Sequence, residues 1–132
     1  MRADAPRVVP LDPQFTTNSE REVWDRRRRS APGDWTILAN VRLTDTRKDH
    51  ELDLVVLMPG VGIVIVEVKG GSVSVDADGT WFTGVEPQRR VIHPVDQSRD
   101  GKYALRGYIE ADPRWRHSSR TRVRFGHAVA LP

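Results

Sequence analysis

Residues 51–69 read ELDLVVLMPGVGIVIVEVK, and this stretch determines the expected fold. It holds two runs rich in aliphatic and β-branched residues, Glu51–Met58 and Val61–Lys69, separated by the turn-forming pair Pro59-Gly60. The second run is apolar at every position from Ile63 to Val66, which is typical of a central strand covered on both faces. The two runs therefore predict a hairpin at the centre of a sheet.

Three ionisable residues interrupt this apolar hairpin: Asp53, Glu67 and Lys69. Charges beside a buried sheet are costly unless they are paired or bind a cation. Glu67 and Lys69 are two residues apart in a strand, so they point to one face. Asp53 joins that face only if the hairpin loop has an odd number of residues, because a slip of one residue reverses every side chain. We predict such a loop, Pro59-Gly60-Val61 or Gly60-Val61-Gly62, or a bulge with the same effect.

The rest of the chain predicts helices and further strands around this hairpin. Thr17 and Glu20 match the capping-box spacing of a helix start, and so do Ser19 and Glu22. The predicted elements are a helix over residues 18–29, a strand Trp35–Leu43, a small outer hairpin Ser72–Val75 and Thr80–Val85, a helix from Pro94 to about Glu110, and a last strand Arg122–Leu131. The order helix, three strands, small hairpin, helix, strand predicts an α/β fold, a mixed sheet flanked by helices.

The composition limits the class of protein. A length of 132 residues fits one domain, and residues 1–17, with three prolines, predict an extended arm. The chain has no cysteine, which excludes disulfides and thiolate metal sites. Neither a secretory signal nor an apolar run of membrane-spanning length is present, so we expect a cytoplasmic protein without membrane association. Lys+Arg outnumber Asp+Glu by 21 to 18, which is compatible with phosphate contacts and equally with a coding bias toward arginine.

The charged residues of the hairpin suit the hydrolysis of a phosphodiester bond. Oxygen ligands from Asp53, Glu67 and the carbonyl of Val68 match the preferences of Mg²⁺ or Mn²⁺. Such a cation activates water, and Lys69 can orient that water or stabilise the charged transition state. The alternative is a purely structural role, as an ion-pair cluster at the end of the sheet.

Four stretches carry a family resemblance: SEREVW (Ser19–Trp24), ELDLVVLMPGVGIVIVEVKGG (Glu51–Gly71), Trp81 and HPVDQSRDGKYAL (His93–Leu105). With these the chain resembles the nuclease-related domain (NERD) family of the PD-(D/E)xK nuclease superfamily, although Leu52 stands where the superfamily name has proline. The resemblance implies a restriction-endonuclease-like fold over residues 18–132 and metal-dependent cleavage of DNA. It also implies fusion to a helicase or kinase-like region. We expect the natural protein to continue beyond the last strand, because no closing helix follows it.

The resemblance implies a glutamate in the site from the first helix. Glu20 lies on the same face as the apolar Val23 and Trp24. Glu22 is about 200° from Glu20 around the helix, so we expect it to face solvent or cap the helix. We therefore assign Glu20 as an auxiliary metal ligand. Its alternative role is that of an acid favoured by the helix dipole.

The resemblance also implies a glutamine from the second helix, and Gln97 is the candidate. Helical spacing places it on a stripe with Gly101, Ala104, Leu105 and Tyr108, so we expect it to face the sheet and need polar partners. A satisfied polar residue near a helix start is the alternative. For the whole chain, the alternative to an enzyme is a non-catalytic DNA- or protein-binding module. Arg47 and Lys48 lie in the loop before Glu51 and are candidates for phosphate contacts.

Overall fold

A five-stranded mixed sheet with a helix on each face forms the centre of the structure, a computed structural model that describes residues 5–118 and 123–132. The elements are β1 (Arg7–Val9), α1 (Asn18–Ser30), β2 (Thr36–Thr44), β3 (Asp49–Met58), β4 (Gly62–Val68), β5 (Val73–Val75), β6 (Trp81–Thr83), β7 (Arg90–Ile92), α2 (Pro94–Glu110), α3 (Pro113–Arg116) and β8 (Phe125–Ala130). The predicted α/β class with a mixed sheet and flanking helices is confirmed. Arg122, the first residue of the predicted last strand, lies outside the described residues.

The strand order in the main sheet is β1-β2-β3-β4-β8. Strands β2, β3 and β4 are antiparallel neighbours, whereas β1 on β2 and β8 on β4 are parallel pairs. Strands β5, β6 and β7 form a separate antiparallel sheet, so the predicted outer hairpin has a third strand. Strand β1 lies within the segment predicted as an extended arm, and it pairs along the edge of the main sheet. No helix in the described ranges is long and apolar enough to cross a membrane.

The turn between β3 and β4 has three residues, Pro59-Gly60-Val61, because Met58 pairs with Gly62. The N–H of Val61 donates to the carbonyl of Met58 at 2.9 Å and closes the turn. The predicted odd-length loop is therefore confirmed. Its register continues to the pair Leu54 and Val66, which is the last pair before Asp53 and Glu67.

Two apolar layers cover the faces of the sheet. The α1 layer comprises buried residues from the first helix and the strands beneath it: Val23, Trp24, Ile37, Ala39, Leu54, Val56 and Val68. The α2 layer comprises Leu52, Val55, Ile63, Ile65 and Leu105. Fully burying a side chain of this kind contributes about 1.5–3 kcal/mol, so both helices are held by the sheet rather than by their own propensity.

At Asn40, the alternation of side chains between the two faces of strand β2 is reversed. Ala39 packs in the α1 layer, whereas Val41, two residues later, packs in the α2 layer. Between them Asn40 has a φ of 54°, a left-handed conformation that asparagine tolerates. Its side-chain amide donates to the carbonyl of Gln14 at 2.6 Å, which holds the reversal in place. Strand β3 makes the same change of layer across the ladder, at Asp53.

Candidate active site

The three charged residues of the central hairpin come together where β3 leaves β4. The N–H of Val68 donates to the Asp53 carboxylate, with 2.8 Å between the nitrogen and Oδ2. The Lys69 ammonium lies 3.4 Å from Oε1 of Glu67. The structure therefore brings Asp53, Glu67 and Lys69 to one end of the sheet, on the connected strands that the odd loop aligns.

The side chain of Asp53 accepts a hydrogen bond that a backbone carbonyl of β3 would accept in a regular sheet. Backbone pairing between β3 and β4 ends at Leu54 and Val66, so the N–H of Val68 has no carbonyl opposite it on β3. A buried N–H without an acceptor is costly, and the carboxylate of Asp53 accepts from it instead. On its other side β4 continues beside β8, and the Lys69 N–H donates to the Ala130 carbonyl at 3.0 Å.

Helix α1 brings Glu20 to the same end of the sheet. Thr17 is the N-cap, and its hydroxyl accepts from the N–H of Glu20 at 3.2 Å. Strand β4 and the helix can approach closely because residue 70 is glycine: a Cβ there would collide with the side chain of Ser19. Glu20 is half-buried, whereas Glu22 is exposed and ion-paired. The choice of Glu20 over Glu22 thus agrees with the observed faces of the helix.

The carboxylate of Glu20 is tied locally. It accepts from the Thr16 hydroxyl, at 3.3 Å to Oε1 and 3.4 Å to Oε2. Its charge nevertheless reaches both Asp53 and Glu67, since it raises the pKa of each. Glu20 is therefore an electrostatic neighbour of the pair.

Helix α2 closes the opposite side and leaves a cleft of about 220 Å³ over the carboxylates. It also packs through a glycine, because a Cβ at Gly101 would collide with the side chain of Leu52. Asp53, Glu67 and Gln97 line this cleft, which we call the carboxylate cleft. Lys48, His50 and Asp100 border it as well.

The predicted stripe of α2 is shifted around the helix. The buried line is Pro94, Ser98, Gly101 and Leu105, and Ser98 is fully buried with its hydroxyl donating to the carbonyl of Val95. Gln97 is consequently exposed at the rim of the carboxylate cleft rather than facing the sheet. Tyr108, predicted on the same stripe, is 68 % exposed, so its assignment to the sheet face is wrong.

Burial dominates the electrostatics of the two carboxylates. It raises the pKa of Asp53 from 3.8 to about 6, an effect that the N–H of Val68 opposes and the charge of Glu20 reinforces. It raises the pKa of Glu67 from 4.5 to about 7, with a further rise from the charge of Asp53 and a fall from Lys69. A single ammonium thus faces two desolvated acids, and negative charge accumulates in the cleft as pH rises.

The raised pKa of Glu67 predicts a dependence of stability on pH. Between 4.5 and about 7 the folded protein holds this proton more often than the unfolded chain does, so stability falls as pH rises through that window. The contribution of Glu67 should decline by on the order of 3 kcal/mol. In urea unfolding at a series of pH values, Glu67→Gln should remove this part of the decline.

The matched control is Glu22→Gln, because Glu22 is an exposed glutamate with an ordinary surface ion pair. We expect its stability curve to run parallel to that of the unmodified chain. A parallel curve for Glu67→Gln as well would contradict the assignment of a desolvated carboxyl to Glu67.

The residues of the cleft fit a divalent cation in part. Asp53 and Glu67 supply hard oxygen ligands, and the single Lys69 leaves negative charge to be balanced. Across the described ranges, however, no three histidine, cysteine or acidic side chains come together as a metal-binding group. Mg²⁺ commonly binds through one or two carboxylates and keeps several waters. The donor set therefore suits a hydrated Mg²⁺ or Mn²⁺ and not a cation that demands a full protein cage.

The sequence did not predict the hydrogen bonds and the ion pair that hold the loop before β3 beside the cleft. Asp45 organises the loop before β3: its carboxylate accepts from the N–H groups of Arg47 and Lys48 and lies 2.7 Å from Nε2 of His50. Lys48 then reaches Asp100 on α2 at 3.9 Å. An aspartate followed within three residues by turn-favouring polar residues is a recognisable turn signal, but the contact between Lys48 and α2 has no signal in the sequence.

Comparison with known proteins adds one finding. A family model described as "Nuclease-related domain", abbreviated NERD, matches residues 16–132. No curated protein and no solved structure matches the chain. The matched range contains the whole carboxylate cleft and both helices that pack on the main sheet.

Proposed function

The chain belongs to the nuclease-related domain (NERD) family, and we propose that it is a divalent-metal-dependent nuclease domain that hydrolyses phosphodiester bonds in DNA. The observation that carries the proposal is the pair of desolvated carboxylates, Asp53 and Glu67, beside one ammonium. A structural ion pair needs one acid for one base. The second acid makes the cleft attractive to a cation and costly to keep without one.

Each residue has a role in this reaction. Asp53, Glu67 and the carbonyl of Val68 would hold Mg²⁺ or Mn²⁺, with Glu20 as an auxiliary ligand. A bound divalent cation of this kind polarises a phosphate oxygen and lowers the pKa of a water molecule. The water oxygen attacks phosphorus and gives up a proton to solvent, the bond from phosphorus to the leaving sugar oxygen breaks, and that oxygen takes up a proton from solvent. Lys69 places positive charge where negative charge grows on the phosphate, and Gln97 positions the substrate from the rim.

The test combines cleavage with metal binding. The purified protein is incubated with plasmid and with short oligonucleotides, with Mn²⁺ or with chelator, and the products are separated on gels. We expect cleavage that depends on Mn²⁺. Calorimetry should show Mn²⁺ binding that Glu67→Ala abolishes and that the control Glu22→Ala retains. Absence of both cleavage and binding at millimolar metal would reject the proposal.

A second candidate, a non-catalytic DNA-binding module, is favoured by two observations. The described residues include no group of three acidic, histidine or cysteine side chains that could hold a metal, and the Glu20 carboxylate accepts from the Thr16 hydroxyl. This candidate predicts DNA affinity that falls with salt, together with an absence of Mn²⁺ binding. Fusion to a helicase or kinase-like region, the division at residue 17 and a cytoplasmic location stay predictions.

A further inference from the structure

A second cavity of about 700 Å³ lies beside the carboxylate cleft. One wall is the end of β2 with the loop that follows it, residues 43–48, and the other is the outer face of α2 around Tyr103, Gly107 and Tyr108. We call it the tyrosine groove. The groove and the cleft share Lys48, His50 and Asp100. The two cavities are therefore adjacent, with the pair formed by Lys48 and Asp100 at their boundary.

Two aromatic rings in the groove have no role in the core. Tyr103 is 56 % exposed and Tyr108 is 68 % exposed, and neither belongs to the apolar layers on the sheet. Exposed aromatic rings in a charged groove are the platforms on which unpaired nucleic-acid bases stack. A base in a duplex is already stacked and does not offer its face in this way.

The floor of the groove between these rings is Gly107. The packing of the helix does not require a glycine at this position. Gly107 lies inside α2, where glycine is less favourable than alanine. A Cβ at this position would have no atom within 4 Å, in contrast to the crowded Gly101 one face away. The fold itself would accept a larger residue at 107. The missing side chain keeps the groove open where a flat group would approach the helix.

Positive charge lines the wall opposite the rings. Among the described residues Arg47 has no ion-pair partner, and the pair between Lys48 and Asp100 is long and exposed, so it contributes little. Asp45, the other acid in the groove, is engaged by two backbone N–H groups and by His50. The Lys102 ammonium lies over one face of the first ring, 4.7 Å from the ring centroid of Tyr103. Phosphates can thus meet Arg47 and Lys48 while bases meet the rings.

We propose that the tyrosine groove binds a single-stranded polynucleotide, with bases stacked on Tyr103 and Tyr108 and phosphates on Arg47 and Lys48, and leads that strand into the carboxylate cleft. The inference rests on the proposed nuclease function, because it names the substrate class for that site. Single-stranded DNA and RNA share this chemistry, and the experiment separates them.

The binding experiment is performed in chelator, so that it does not depend on cleavage. Fluorescence anisotropy is measured with labelled oligodeoxyuridylate, oligouridylate and a hairpin duplex with the same number of phosphates. We expect the protein to bind one or both single strands at least about tenfold more tightly than the duplex. The stronger of the two single strands identifies the natural sugar. Affinity should fall with salt as phosphate contacts require.

Variants locate the binding to the groove. Tyr103→Ala and Tyr108→Ala should each weaken single-strand binding by about tenfold. Gly107→Leu should weaken it at least as much, because the new side chain fills the floor, while its melting temperature stays the same or rises. Gly107→Ala is the matched control, with a stabilised helix and a floor that remains nearly open. Arg47→Ala should weaken binding, whereas Arg90→Ala, an exposed arginine on the small sheet, should not.

Equal affinity for the duplex and the single strands would overturn the inference, and so would unchanged binding by the tyrosine and leucine variants. The two proposals fail separately. Mn²⁺-dependent cleavage of DNA without single-strand preference leaves the nuclease standing and removes the groove's assignment. Single-strand binding that depends on Gly107 and the tyrosines, without either cleavage or Mn²⁺ binding, supports the assignment of the groove and rejects the nuclease.

Discussion

Asp53→Asn is expected to lower Mn²⁺-dependent cleavage by about a thousandfold or more while making the domain more stable at neutral pH. Activity is lost because asparagine has no charge to hold a cation. The amide oxygen of asparagine can still accept from the N–H of Val68, so the local hydrogen bond survives. The variant should be compared with the unmodified protein by gel assay and by urea unfolding.

The sign of the stability change separates a catalytic site from a structural ion-pair cluster. Burial raises the pKa of Asp53 from 3.8 to about 6, so its charged form costs stability above that value, on the order of 2–3 kcal/mol. Removing the charge should recover much of this cost. Removing one member of a buried structural ion pair instead costs about 3–5 kcal/mol. A destabilised variant would therefore support the structural reading and count against the nuclease.

A matched control for this experiment is Asp78→Asn. Asp78 lies in the turn between β5 and β6, where its carboxylate accepts from the N–H of Thr80 at 3.1 Å. We expect cleavage to remain at the level of the unmodified protein and stability to change little. Loss of cleavage in this variant would show that the assay responds to any removed carboxylate.

Trp24→Ala is expected to cost about 3–5 kcal/mol of unfolding free energy, the range for emptying a buried aromatic site. Trp24 is 2 % exposed, and its ring lies 5.9 Å from that of Phe15, centroid to centroid. It fills the α1 layer and fixes the helix that carries Glu20. This is a large part of the stability of a domain of ordinary size. Denaturant unfolding monitored by circular dichroism measures it.

Trp81→Ala provides the comparison, because Trp81 is half-exposed on the small sheet and belongs to neither apolar layer. We expect its cost to be clearly smaller than that of Trp24→Ala. Equal costs for the two tryptophans would mean that the α1 layer does not hold the first helix as the burial of Trp24 indicates.

The sequence was most informative where one physical constraint determined the outcome. The need to place Asp53 on the face of Glu67 predicted a turn with an odd number of residues, and the structure has a three-residue turn at residues 59–61. The second helix runs over Pro94–Glu110 as predicted. The strand pattern and the turn parity are local properties, so they could be derived without the rest of the fold.

Features that depend on distant packing could not be predicted. Strands β1 and β7 have three residues each and exist only through their partners, so no periodic pattern marks them. The rotation of α2 that exposes Gln97 follows from the close approach of Gly101 to Leu52, which involves elements about fifty residues apart. The convergence of Glu20 with Asp53 was implied only by family resemblance, since helix and strand are remote in the chain.

The contact between Gly70 and Ser19 has a consequence for protein engineering. Because a hydrogen atom is all that residue 70 can place against Ser19, the strand that carries Glu67 and Lys69 fits only a helix start of matching shape. If EVKGG alone were transplanted into another scaffold, it would lack the start of the first helix, against which Gly70 packs. A transplant of this strand therefore has to include the TTNSE segment at residues 16–20.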